Sequence, residues 1–248
     1  MWSIRLFWIL GLASLVYSIA YTDIFWIIAC FCFHYTISIF GNSICYHRYL
    51  SHRSFETGPK RKIFLLAANL LSGQGRILHA VAIHRHHHKH SDAPLDPHSS
   101  RDGYVKNFFF TLNSMEYFEK KKIGIPIDLF RDKVVMFFHR RYLHIWIAIL
   151  AVTLLINLNI TLFLLTSVGF TILHTNLVRT FLSHGTCSIF YRNYNTDDLS
   201  SNTKFQLLSL SESLHNNHHR YPNSYNHAVY HNEYDPAGWI VKKFFATS

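Results

Sequence analysis

The sequence predicts an all-α integral membrane protein: four transmembrane helices in two hairpins, with a cytosolic helical cap that holds a histidine-rich site. Three observations predict it. Hydrophobic residues make up 49% of the 248 residues and charged residues only 15%, below the roughly one quarter of a soluble domain. The apolar residues gather in four blocks, each near the ~20 residues a helix needs to cross a bilayer. Outside those blocks, many of the 19 histidines concentrate in three short boxes.

The first block covers residues 4–20 and the second 24–41, with only Tyr21-Thr22-Asp23 around their junction. So short a link makes them an antiparallel hairpin. The stretch from Arg5 to Ala20 has the outline of a signal peptide, but the second apolar run follows too closely for a mature N terminus. Residues 42–141 are polar and basic, with one apolar island from Ile63 to Leu71. That island is too short to span and is predicted to lie along the membrane surface or under the cap. The third block, 142–157, and the fourth, 160–182, are joined by Leu158-Asn159 and form the second hairpin. Residues 184–248 are polar again. The chain reads as a single domain over 1–248, without repeats or an internal linker.

Charge sets the orientation. Segment 42–141 carries 17 Lys and Arg and segment 184–248 carries 5, while the two inter-helix links carry none. The positive-inside rule puts both large segments and both termini in the cytoplasm, at a bacterial inner membrane or the endoplasmic reticulum. All three histidine boxes then share one side of the membrane. The formal net charge of +10 suits anionic lipid head groups. Nucleic acid is excluded as a partner, because a binder of that kind seldom carries long apolar blocks. Lys60-Arg61-Lys62, Lys120-Lys121-Lys122 and Arg140-Arg141 are assigned mainly to lipid, with a phosphate-bearing acyl donor or an acidic electron donor as further uses. Cys30, Cys32, Cys45 and Cys187 form no disulfide framework and point to a reducing compartment.

The boxes carry the chemistry. His84, His87 and His88 stand at i, i+3 and i+4, so a helix presents all three on one face. His215, His218 and His219 repeat the pattern. His47 and His52 are five apart, about 140° around an α-helix, so one of them is expected past a helix end. Two triplets and that pair offer eight imidazoles, more than one ion can hold, and imply two metals. Imidazole suits zinc, copper, iron and nickel alike. No box contains the internal Glu of a zinc hydrolase His-Glu-x-x-His. A nearly all-histidine site leaves the metal charge uncompensated and raises its reduction potential, which suits oxygen activation.

The boxes resemble those of the membrane fatty acid desaturases, in particular the Δ9 acyl-CoA (stearoyl-CoA) type. His47 to His52 matches the first box, H-R-x-x-S-H. His84 to His88, with Ser91-Asp92 and Asp96-Pro97-His98, matches the second. Ser211-Glu212 to Pro222 matches the third, with Ser211 in place of the usual Gly. The similarity runs from about Gly41 to Trp239. It implies two Fe ions held by nine histidines, the ninth being His184, and O2 as co-substrate. Thr180 stands where the family usually has an Asn that holds an iron-bound water, and Ala80 where relatives often place a Trp near the acyl tunnel.

The resemblance further implies a cis double bond, at Δ9, placed in a saturated fatty acyl-CoA or another acyl-carrier or acyl-lipid substrate. Electrons would come from a small donor such as ferredoxin, or cytochrome b5 with its reductase. Asp96 and Glu212 are expected to orient ligand imidazoles through their free N–H groups, or to cap helices. His86 and His90 fall off the ligand face. His98 is expected to support the turn; His34 and His174 sit in membrane segments, where a polar residue is a functional candidate by default, and each is expected to make a satisfied interhelical hydrogen bond. His79, His139, His144, His227 and His231 are read as structural or surface groups. Two other classes fit less well. A related di-iron hydroxylase would share the boxes, and a non-enzymatic metal carrier would need ionisable residues in a row through the membrane.

Overall fold

The computed structural model describes residues 2–184 and 189–247. Helix α1 (Trp2–Tyr21) is followed after two residues by α2 (Ile24–Ser38), which runs on without a break as a π-helix over Ile39–Ser51. Asp23 starts α2 by accepting the Trp26 N–H, the usual work of an N-cap carboxylate. Then come α3 (Pro59–Leu71), α4 (Ile77–His90), the short α5 (Tyr104–Phe108), α6 (Phe110–Lys120) and α7 (Ile127–Phe130). Helix α8 (Lys133–Ile156) is capped by Asp132, which accepts from the Val134 and Val135 amides. Helix α9 (Leu158–Leu177) continues as a π turn over Val178–Leu182. A two-stranded antiparallel ribbon, β1 (Phe190–Tyr191) with β2 (Asn202–Thr203), precedes α10 (His215–Arg220) and α11 (Pro236–Ile240).

Four helices are long and apolar enough to cross a membrane: Ile4–Tyr21, Ile24–Ser51, Lys133–Ile156 and Leu158–Leu182. Two of them outrun the apolar blocks of the sequence. The second is 28 residues long and carries its last turns beyond 41 into the polar segment. The third begins at Lys133, nine residues before its apolar block. Backbone hydrogen bonding does not stop where side-chain hydropathy changes, so the second helix runs on through His47 of the first box.

Helix α9 is the hub. It packs along α1 through small residues, with Ser14 and Ser18 hydroxyls 2.9 and 2.8 Å from Thr166 Oγ1. A Cβ on Gly169 would meet the Gly11 carbonyl oxygen at 2.3 Å, so this crossing requires glycine. Helix α2 joins the same hub through His34, whose ring nitrogens lie 2.9 Å from Thr171 Oγ1 and 3.0 Å from His174 Nδ1. This satisfied pair matches the interhelical bond expected of His34 and His174. His174 Nε2 in turn donates to the Leu208 carbonyl at 2.6 Å, tying the hub to the loop before the third box.

The apolar island becomes α3. Leu65, Leu66, Ala68 and Leu70 are buried, while Ile63 and Phe64 remain about half exposed. It lies so close to the second span that a Cβ on Gly41 would come within 2.6 Å of the Ala68 carbonyl group. The main core cluster then runs from Ile39, Ile44 and Cys45 through Leu65, Leu78 and Val81 to Val135, Ala237 and Val241. That packing locks the π-helix, α4 and the C-terminal segment into one body.

Candidate metal centre

The first box uses the π-helix. Its amides bond five residues back, and the closing bond is His52 N–H to the His47 carbonyl at 3.1 Å. A spacing of five is awkward on an α-helix but is one turn of this wider helix. His52 is the C-cap, and its ring lies 4.9 Å from that of His47. The fourth span ends the same way, with Ser183 N–H bonded to the Val178 carbonyl at 3.0 Å, which delivers His184 beside the third box.

The second box lies on the last turns of α4, where His84 and His87 are buried and His86 bonds outward to the Leu95 carbonyl. The third box is α10, only six residues long and too short to hold itself together. Asn202 anchors it by accepting the Asn216 and Asn217 amides at 2.9 and 3.2 Å. The backbone just before it is left-handed, with φ of 54° at Leu210 and 64° at Ser211. Glycine adopts that conformation without strain, which accounts for the family's preference; Ser211 stays there with its hydroxyl accepting the Ala237 N–H at 3.0 Å.

These elements bring nitrogen atoms of His47, His52, His84, His88 and His218 within 4.8 Å of one another, and those of His87, His215 and His219 likewise. His184 adjoins the second group, its ring 5.0 Å from His215 and 6.4 Å from His87. All nine histidines singled out in the sequence therefore meet, as a group of five and a group of three with His184 beside it. His98 stacks on His87 at 4.2 Å. Among the described residues no cysteine joins these groups. Cys187 lies outside the described residues.

Carboxylates stand behind the rings. Asp96 accepts from His87 Nδ1 at 2.9 Å while also holding the amides of Asp92 and His98, so it both orients the ring and builds the turn. Glu212 Oε2 lies 2.6 Å from His47 Nδ1. Its other oxygen accepts from Ser43 Oγ at 2.5 Å and Arg48 Nη1 at 2.6 Å. Asp198 accepts from His219 Nδ1 at 3.0 Å, and Asp92 lies 3.9 Å from His184 Nδ1. Sequence reasoning missed Asp198 and Arg48. Asp198 sits inside the stretch from about Gly41 to Trp239 that carries the family resemblance, and that position was the available signal. Burial alone would raise the Asp198 carboxyl, but the hydrogen bonds from His219 and Ser200 outweigh it and hold it below the usual range.

This donor set fits metal ions. A carboxylate at Nδ1 accepts a hydrogen bond from the ring N–H, which holds the proton on Nδ1 and leaves the lone pair on Nε2. His219 Nε2 then faces His215 Nε2 at 3.0 Å. His218 Nε2 lies 3.0 Å from His88 Nε2 and 3.1 Å from His47 Nε2. Each neutral imidazole has one proton to share, so these crowded nitrogens leave lone pairs facing one another, an arrangement that a cation stabilises. Thr180 Oγ1, four residues before His184, is buried and has no hydrogen-bond partner among the described residues.

Burial, followed by repulsion from neighbouring imidazoles, pushes His84, His88, His215 and His218 well below their ordinary 6.5. The unfolded chain takes up those protons first, so metal-free protein is fully stabilised above about pH 6.5 and loses stability as the pH falls below it. Chelator-treated protein is expected to unfold at a lower temperature at about pH 5.5 than at about pH 7.5. Thermal melts in detergent check this, and equal melting temperatures would contradict it.

A cavity of about 1230 Å3, including its open mouth, reaches the histidines. Ile4, Trp8, Ile83, Phe110, Val178 and Leu210 form much of its apolar wall, and His47, His84, His87, His184 and His215 its inner end. Ala80 also lines it. Gln74, Arg76, His79 and Ser114 are only partly buried and mark the mouth.

Comparison with known proteins agrees with this architecture. A sequence profile described as fatty acid desaturase matches residues 24–248. The acyl-CoA C20 Delta5-desaturase of Anemone leveillei is 31% identical over 224 residues, covering 88% of this chain and 70% of that protein. The sn-1 stearoyl-lipid 9-desaturase of Anabaena variabilis is 30% identical over 193 residues, 76% of this chain and 69% of its own length. The acyl-CoA desaturase of Ovis aries is 28% identical over 211 residues, with coverage of 80% and 58%. With the profile covering most of its length and the histidine boxes gathered at the end of an apolar cavity, this chain belongs to the fatty acid desaturase family.

Proposed function

We propose that this chain is a membrane-embedded, O2-dependent di-iron desaturase that introduces a cis double bond, at Δ9, into a saturated fatty acyl thioester. The observation that supports the reading is the gathering of eight histidines in two adjoining groups, with His184 beside the second and several of these rings lining the cavity. His47, His52, His84, His88 and His218 would hold one iron, and His87, His184, His215 and His219 the other. When bound, two ferrous ions supply the reduction of O2, with two electrons from a ferredoxin or cytochrome b5, and the oxidising strength to remove hydrogens from adjacent methylenes.

The rest falls to the protein. Asp96, Glu212 and Asp198 keep the His87, His47 and His219 rings oriented with the Nε2 lone pair inward, the usual part of carboxylates behind metal-bound imidazoles. The apolar wall excludes water and holds the chain in one register. Because the methylenes are chemically equivalent, register decides which carbons react. The four spans form two hairpins, and the basic segments keep the boxes and termini cytoplasmic.

Expression in a host rich in saturated acyl chains is expected to produce a new monounsaturated fatty acid, located by gas chromatography and mass spectrometry of derivatised double bonds. Unchanged host fatty acids, or a hydroxylated product, would count against the reading. An Ala80→Trp variant narrows the cavity and is expected to shift the product profile toward shorter chains without loss of bound iron.

A further inference from the structure

His227, read from the sequence as a structural or surface group, is only 2% exposed. Its ring lies 4.6 Å from that of His218 and 5.7 Å from that of His47. Its nitrogen is not among those that cluster within 4.8 Å of one another. So His227 flanks the five-histidine group without joining it.

Arg48 decides what this ring can do. The guanidinium is fully buried. Its Nη1 is bonded to Ser43 and Glu212, its Nε to the Tyr225 carbonyl at 3.0 Å, and its Nη2 to the Ser211 carbonyl and Asp235. Nη2 also lies 3.0 Å from His227 Nδ1. A guanidinium has donors only, so Nδ1 must accept and the imidazole proton must sit on Nε2. To ligate metal through Nε2 the ring would have to move its proton to Nδ1, against the Arg48 N–H. The ring cannot turn away easily either. Its own amide is tied to Asp235 Oδ2 at 2.8 Å and its carbonyl to Asn217 Nδ2 at 3.0 Å.

The outcome is a buried N–H group with no protein acceptor: His227 Nε2 has no hydrogen-bond partner among the described residues. A buried donor left unmatched costs on the order of 1–3 kcal/mol, so one this firmly held points to an acceptor that is not protein. We propose that His227 is a positioning residue of the five-histidine centre. It is locked by Arg48 as an outer hydrogen-bond donor to a small oxygen or nitrogen ligand, such as water or an anion, and does not bind metal itself. The inference rests on the metal reading of the histidine groups.

The test uses full-length protein purified in detergent and loaded with ferrous iron, with azide as the probe anion. His227→Phe keeps a planar ring and removes the donor. His227→Gln keeps both functions, an oxygen to accept from Arg48 and an N–H to donate. Both variants are expected to bind as much iron as the parent. Loss of one good hydrogen bond should weaken azide binding to the Phe variant about tenfold, with a shifted absorption band, while the Gln variant stays within about threefold. Where the Phe variant does not accumulate, His227→Met takes its place, similar in bulk and without a donor. A Phe or Met variant that loses one iron would make His227 a ligand and overturn the inference. So would a variant with both irons and unchanged azide affinity and spectrum. A parent that takes up no metal would instead overturn the metal reading beneath it.

Discussion

Replacing His218 with alanine is expected to abolish the proposed desaturation and to cost the protein the metal proposed for the five-histidine group. His218 Nε2 lies within 3.1 Å of both His47 Nε2 and His88 Nε2, so its loss opens the middle of that group. Changing a carboxylate behind a ligand costs about 10- to 100-fold in metal affinity or activity, and loss of the ligand itself should exceed that range. Asp96→Asn supplies the comparison. It keeps only one of the two turn bonds, because the Asp92 and His98 amides donate to different oxygens and the new NH2 group cannot accept, and it weakens the hold on His87 Nδ1, so iron should bind about tenfold or more less tightly. Iron per chain and product formation are measured side by side. A His218→Ala protein with two irons and normal turnover would refute the assignment of this group.

The second large effect is on folding and lies far from the histidines. Gly169→Leu places a Cβ 2.3 Å from the Gly11 carbonyl oxygen and 2.9 Å from its carbon. These are backbone atoms and cannot rotate away, so α1 must move off α9. That movement breaks the Ser14 and Ser18 bonds to Thr166 and disturbs Ile4 and Trp8, which line the cavity. Overpacking costs about 1–3 kcal/mol in well-packed interiors, and a backbone collision belongs at the upper end or beyond. The expected result is a markedly lower melting temperature in detergent, with poor accumulation in the membrane. Gly11→Ala meets Val168 Cγ1 at 3.0 Å and the backbone atoms Gly169 N at 3.1 Å and Leu165 O at 3.3 Å, milder approaches that should cost less. Equal stability of Gly169→Leu and the parent would mean that the two helices do not cross here.

Much of this was legible in the sequence because it is local. Hydropathy marked all four long helices, and the i, i+3, i+4 spacing marked both triplets, since helical periodicity needs only neighbours. The helix ends were less legible. The span from Ile24 to Ser51 continues ten residues past its apolar block because hydrogen bonds, not hydropathy, end a helix. The five-residue spacing of His47 and His52 put one of them past a helix end, where His52 stands as the C-cap, but the π turn between them has no periodic signal. His227 was read as structural or surface because nothing near Asn226 or Ala228 tells a buried imidazole from an exposed one.

By itself, the sequence determined a helical membrane protein with three boxes and eight histidines set by spacing, since composition and spacing are written along the chain, while the ninth, His184, came from the family resemblance. Only the tertiary structure decided how they divide into five and three with His184 beside the second group. It alone brought Asp198 to His219 and Arg48 to Glu212, Asp235 and His227. These partners lie 21 residues apart at the least and 187 at the most. The order in which buried rings, carboxylates and a guanidinium meet is set by packing and charge compensation in the folded body, which no local pattern encodes.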